Sequence, residues 1–283
     1  MLRVVASVPA FEPRRLAMRP HLGIARGPVR ELLNNIERTI MKDTTPTNTN
    51  ETRPGLDYGQ AQRLEPFLNR VTWADCLQAL RQLPDESVDL VLTDPPYLVR
   101  YRDHRGRCFY PNDDHDRWVR PAFAEMFRVL KRDAFCISFY GWPRAEIFFA
   151  AWRDGGFRPV GHFAFLKPYA SRVGFVRARH DQAVLLAKGR PALPQVPLDD
   201  VIAHRWTSHR IHPAQRPVSA LTPLIRAFSK VNDIVLDPFG GSGTTAVAAL
   251  QCDRRFILFE MKREYYESAC ARINRLQPTD GHL

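Results

Sequence analysis

Between about residue 70 and residue 275 the chain alternates two hydrophobic patterns. Short apolar runs rich in β-branched and aromatic residues are "RVTWAD", "SVDLVLTD", "AFCISFYG", "GHFAFLKP", "DQAVLLAKG", "DIVLD" and "RFILFE", and these predict seven strands. Between them lie stretches whose apolar positions recur at helical spacing: "CLQALRQLP", "RWVRPAFAEMFRVLK", "RAEIFFAAWRDGG", "VSALTPLIRAFS", "TTAVAALQCD" and "YYESACARIN". Pro84 closes the first of these and Gly155 and Gly156 close the third. Several strand runs are apolar throughout, as strands covered on both faces are. Strands alternating with helices then predict an α/β fold: a mainly parallel, seven-stranded sheet with helices on both faces and no internal repeat.

Residues 1–66 differ in character. They are rich in Arg, Pro, Thr and Asn, and "MKDTTPTNTNETRPG" reads as disordered. An arm is expected over 1–66, with a short helix in "PVRELLNNIERTI", translation starting at Met41, and one domain over 67–280. Lys and Arg number 41 against 30 Asp and Glu among 283 residues, a net charge of +11, which favours a polyanionic partner. The five cysteines (Cys76, Cys108, Cys136, Cys252, Cys270) form no CxxC pair, which argues for free thiols in a reducing compartment and against a zinc site or disulfide frame. His104 and His115 lack metal-ligand spacing, so no metal is expected. With no run of membrane-span length and no convincing signal peptide, a cytoplasmic location without membrane contact follows.

Two segments carry candidate chemistry. In "VLDPFGGSGTTAVAAL", a strand enters a glycine turn and a helix, and Gly241, Gly243 and Ala246 fit G-x-G-x-x-A. Glu260 ends the next strand at close to the ~20-residue spacing of an acid that holds ribose hydroxyls. Asp237 opens the turn, where it would repel a pyrophosphate and welcome a cation. No Lys-Ser/Thr pair follows the glycines, against a P-loop. An adenosine bearing a positive centre and an amino-acid tail suits such a site, and S-adenosyl-L-methionine is such a ligand. The other segment is "TDPPYL", where Pro95 and Pro96 end a strand. The prolines serve either as plain punctuation or to hold a carboxylate, a carbonyl and a ring in place for chemistry.

"TDPPY" together with "DPFGGSGTT" resembles the amino-methylating DNA methyltransferases, which act on adenine N6 or cytosine N4 and carry a (D/N/S)-P-P-(Y/F/W) motif. Here that motif is Asp94, Pro95, Pro96 and Tyr97, and it precedes the glycine loop, as in the permuted beta group of the family. "IHPAQRPVSALTPLIRAFS" is similar to the family's His-Pro-x-Gln-Lys-Pro segment, with Arg216 at the usual Lys position. The resemblance covers about residues 70–275. It implies a circularly permuted, Rossmann-like S-adenosyl-L-methionine-dependent methyltransferase fold, with Asp75 facing the cofactor's adenine. The expected cofactor set is Asp75, Cys76, Asp94, His212, Gln215, Asp237, Phe239, Gly241, Ser242, Gly243, Thr244 and Glu260.

For the chemistry so implied, the Asp94 carboxylate and Pro95 carbonyl accept the two N–H groups of an exocyclic amine. Pro96 stiffens the turn and Tyr97 stacks on a base flipped out of duplex DNA. Arg100, Arg102, Arg105 and Arg107 after the motif, and Arg172, Arg177 and Arg179 further on, are the expected DNA contacts. Residues 190–210 form a short target-recognition insert. An Asp at the first motif position goes mostly with adenine in this family, so the expectation is a site-specific adenine-N6 methyltransferase of restriction-modification type, monomeric or homodimeric. Cytosine N4, RNA, a non-catalytic DNA-binding relative and a nucleotide-dependent oxidoreductase stay open as alternatives.

Overall fold

The computed structural model describes residues 57–101, 111–167, 175–203 and 215–276. Eight strands form one sheet: β1 (Arg70–Trp73), β2 (Val88–Thr93), β3 (Leu130–Phe139), β4 (Arg158–Leu166), β5 (His180–Lys188), β6 (Val201–Ala203), β7 (Ile234–Asp237) and β8 (Arg255–Glu260). Their spatial order is β1-β8-β7-β2-β3-β5-β4-β6. Every neighbouring pair is parallel except those made by β5, which runs antiparallel to both β3 and β4. The first strand thus lies beside the last, as the permuted order requires.

The alternation of side chains across the sheet explains the double-sided core. In β8, Ile257 and Phe259 join one buried cluster, while Phe256 and Leu258 join the other. Val235 of β7 likewise separates from Ile234 and Leu236. The first cluster packs against α2 (Cys76–Leu80), α3 (Val119–Val129) and α4 (Ala145–Asp154), through Phe123, Phe148 and Trp152 among others. The second packs against α5 (Val218–Phe228) and α6 (Thr244–Leu250), and Ile273 of α7 (Arg263–Asn274) joins it.

Two expectations are corrected. Among the described residues the sheet has eight strands rather than seven, because Val201–Ala203 pairs with Ala164–Leu166 at the edge. Three residues with largely exposed side chains show no periodicity, and the pairing comes from the free edge of β4. This strand occupies part of the expected insert at 190–210. Within the stretch expected as an arm over 1–66, Tyr58–Leu64 is a helix, α1. Asp57 accepts from the Gln60 amide at 2.7 Å while the Gln60 side chain accepts from the Asp57 amide, a reciprocal cap, and Leu64 is buried in the core. One apolar anchor in a polar stretch left no periodic signal. The expected helix in "PVRELLNNIERTI" and the start at Met41 lie outside the described residues.

The connections place the site. From the β7/β2 boundary, β7 crosses through α6 to β8 in one direction and β2 crosses through α3 to β3 in the other. In open α/β sheets a crevice opens at the carboxyl ends of strands where the order so reverses. Asp237 ends β7 and Asp94 directly follows β2, so the two candidate segments meet there.

Candidate active site

A cavity of about 400 Å³ lies at this boundary, walled by the loops after β2, β7 and β8. Of the expected cofactor residues, Cys76, Asp94, Gln215, Asp237, Phe239, Gly241, Ser242, Thr244 and Glu260 line it, as do Pro95, Pro96 and Tyr97. Two expected residues do other work. Asp75 caps α2, its Oδ1 accepting from the Leu77 and Gln78 amides at 3.0 and 3.2 Å, so Ala74 and Cys76 line the cavity in its stead. Gly243, at φ 79°, packs against α7, where an added Cβ would sit 3.1 Å from that of Ala269. Gly241 has φ 51° and open space where a side chain would be, which lets a ligand approach the backbone. His212 and Arg102, Arg105, Arg107 and Arg172 lie outside the described residues. Arg100, Arg177 and Arg179 are exposed.

Two acids face the cavity from the glycine-loop side. The Glu260 carboxylate accepts from the Gly241 amide at 2.8 Å and the Lys262 amide at 2.6 Å, yet burial still raises its pKa. Asp237 is more deeply buried. Burial pushes its carboxyl up to about 7, against hydrogen bonds from the Thr245 hydroxyl (2.6 Å) and the Phe239 amide (3.1 Å). No cationic side chain among the described residues pairs with it. Beside them, burial pushes the Cys76 thiol up to about 12, so it is an inert wall rather than a nucleophile. Among the described residues no cluster of His, Cys, Asp and Glu could hold a metal ion, and no helix is long and apolar enough to cross a membrane.

On the β2 side, Asp94 sits in a charge network absent from the expected set. Arg216 donates from Nε to Asp94 Oδ2 at 2.6 Å, from one terminal nitrogen to Asp94 Oδ1 at 3.2 Å and to the Tyr97 hydroxyl, and from the other to Asp181 Oδ2 at 3.1 Å. Its guanidinium lies 3.6 Å from the centre of the Phe139 ring. The Tyr97 hydroxyl donates to Asp94 Oδ1 at 2.7 Å, and Lys167 donates to Asp181 Oδ1 at 2.8 Å. Burial disfavours charge on Arg216, but Asp94, Tyr97 and Asp181 outweigh it and raise its pKa above the usual value. Burial likewise opposes ionisation of Asp181, and Arg216 and Lys167 reverse that, lowering its pKa. Burial holds the Tyr97 phenol well above its ordinary value, so it stays neutral.

Several supporting residues were missed by reading the sequence. Gly141 makes room for Tyr97, since a Cβ there would stand 2.7 Å from the Tyr97 Cβ. Buried Asp113 accepts from the Val99 and Tyr101 amides at 3.1 and 2.6 Å, fixing a loop in which Leu98 and Arg100 have φ of 60° and 55°. Arg272 on α7 donates to the Ser242 carbonyl (3.3 Å) and the Thr244 hydroxyl (2.9 Å), and with the Gln215 amide turned so that its oxygen faces Arg272 it donates there too, at 3.0 Å, tying the Gln215 segment to the glycine loop. These are single residues without a motif. Only Arg216 carried a signal, as a departure from the pattern of its segment.

A family model described as DNA methylase matches residues 88–271. The protein named "Putative methylase YubD" of Escherichia coli (strain K12) is 48% identical over 210 residues, covering 74% of this chain and 92% of that protein. Two solved structures share the fold at a TM-score of 0.59. One is M1.HpyAVI in complex with SAM, at 20% identity, with 72% of this chain and 98% of that one covered. The other is the cytosine-N4-specific PvuII DNA methyltransferase, at 19% identity, with 75% and 87% covered.

Proposed function

Because this chain belongs to the DNA methylase family, we propose that it moves a methyl group from S-adenosyl-L-methionine to the exocyclic N6 of adenine in duplex DNA. The observation that carries this reading is the meeting of Asp94-Pro95-Pro96-Tyr97 with Asp237 and Glu260 around one cavity. The residues on the glycine-loop side fit the cosubstrate. Glu260 is an acceptor for a ribose diol, Asp237 is a buried acid without a cation, and Gly241 leaves the backbone open. When bound, the sulfonium supplies an already activated methyl group.

The protein's share is positioning. An exocyclic amine is a poor nucleophile because its lone pair is delocalised into the base. Asp94 accepts one of its N–H groups and the Pro95 carbonyl the other, favouring a tetrahedral nitrogen aimed at the methyl carbon. Tyr97, neutral and anchored through its hydroxyl, offers its ring to a base taken out of the stack. Asp rather than Ser at the first motif position favours adenine. Exposed Arg100, Arg177 and Arg179, with the chain's net charge of +11, supply phosphate contacts.

The test is to incubate the protein with duplex DNA and methyl-tritiated S-adenosyl-L-methionine, digest to nucleosides and identify the labelled product. Label in the N6-methylated deoxyadenosine is expected, and its loss in Asp94→Ala with cofactor binding still measurable. Label in the N4-methylated deoxycytidine would overturn the choice of base, and no transfer to DNA would overturn the reading as a whole.

A further inference from the structure

Resting on that reading, we propose that Asp181 is a positioning residue for methyl transfer: through Arg216 it sets the orientation of the catalytic Asp94 and of Tyr97. Asp181 is the second residue of β5, the one reversed strand among those described, and so reaches the carboxyl-end crevice from an element unconnected with either candidate motif.

The guanidinium of Arg216 is held by all three of its nitrogens and on one face. Nε and one terminal nitrogen face Asp94, that same nitrogen meets Tyr97, the other terminal nitrogen meets Asp181, and Phe139 lies beneath the plane. Counting acceptors on Asp94 shows the consequence. Its Oδ1 takes the Tyr97 hydroxyl and one Arg216 nitrogen, while Oδ2 takes only Arg216 Nε. A carboxylate has about four acceptor positions, so one remains on Oδ2 for an amino N–H, in a direction fixed by the guanidinium. Were the contact to Asp181 lost, Arg216 would be free to turn and present both terminal nitrogens to Asp94, rotating the carboxylate and with it the direction in which that position faces.

Charge balance points the same way. Asp94 and Asp181 face Arg216 and Lys167, two of each sign around one cavity wall. Buried ion pairs seldom add net stability, since desolvation offsets their attraction. The four groups here are partly buried, their side chains 12% to 30% exposed, and beside a cavity they are better explained by what they orient than by what they stabilise. An amide at 181 would offer one oxygen to two cations and turn its NH2 towards the other, so Arg216 and Lys167 would compete for it. Removing Lys167 as well would return that oxygen to Arg216.

The experiment measures kcat and KM for DNA, with cofactor affinity by equilibrium dialysis, in Asp181→Asn, Asp181→Asn/Lys167→Met and Arg216→Lys. Asp181→Asn should lower kcat by about 10²-fold, the cost of a misplaced reacting group, with KM and cofactor affinity within about threefold of wild type. The double variant should regain about tenfold in kcat over the single one, a coupling that unrelated losses would not give. Arg216→Lys, which cannot fork, should lose kcat as Asp181→Asn does. Unchanged kcat in Asp181→Asn or Arg216→Lys, or a double variant no better than the single, overturns the proposal while leaving DNA methylation by the wild type intact. A wild type that methylates no DNA overturns the reading beneath it instead.

Discussion

Replacing Asp237 by Asn should make the empty protein more stable and the enzyme worse. Burial lifts this carboxyl from 3.8 to about 7. At 1.36 kcal/mol for each pKa unit, keeping it ionised above pH 7 costs the fold about 4 kcal/mol. The sign follows from the raised folded value. Below about pH 4 the group is protonated in both states and contributes no penalty. The penalty grows as pH rises and is complete above about 7. An amide escapes it and keeps both contacts: its oxygen accepts from the Phe239 amide, and its nitrogen donates to the Thr245 hydroxyl, which can rotate to accept. Thermal unfolding without cofactor at pH 4 and pH 8 is the assay. The two proteins should melt within about 2 °C of each other at pH 4, and Asp237→Asn should melt higher at pH 8, by of the order of 10 °C for ~4 kcal/mol in a domain this size. Saturating S-adenosyl-L-methionine should raise the wild type far more than the variant, about 2.7 kcal/mol at a hundred times Kd. A variant no more stable than wild type at pH 8, or equally advantaged at both pH values, would show that Asp237 carries no such penalty.

The same carboxyl should make cofactor affinity pH-dependent in the wild type. A cation favours the ionised form, so affinity should rise with pH through about 7 and fall about tenfold from pH 8 to pH 6, by equilibrium dialysis with labelled cofactor; a flat profile would refute the pairing. Gly141→Ala should cut methyl transfer by tenfold or more, of the order expected for a displaced platform, while cofactor affinity holds, because the added Cβ would stand 2.7 Å from the Tyr97 Cβ. Full activity in that variant would show that Tyr97 can shift without consequence.

The parts that were legible and those that were not differ in kind. The glycine loop and the Asp-Pro-Pro-Tyr motif could be read because each is a set of particular residues at fixed short spacing, and both line the one cavity. So could the strands of the double-sided core, whose apolar runs record burial residue by residue. Asp75 could not be settled from the chain because the same acid serves as a helix cap or as a ligand, and only the structure shows its Oδ1 accepting from the Leu77 and Gln78 amides. Gly243 fitted the motif for another reason, its close approach to Ala269 across a distance of chain that no motif spans. Strand β6 and helix α1 were missed because each is fixed by one contact, an exposed sheet edge or a single buried Leu64, rather than by a period.

Local chemistry along the chain determined the class of fold, the two motif segments and the acids that end strands β7 and β8, since each depends on neighbours a few residues away. The tertiary structure alone decided that Arg216, Asp181, Lys167 and Phe139 gather around Asp94, and that Gly141 leaves room for Tyr97. Those contacts join residues from β3, β5, the end of β4 and the entry to α5. They exist because a parallel sheet brings its carboxyl ends together, and because one reversed strand begins where its neighbours end.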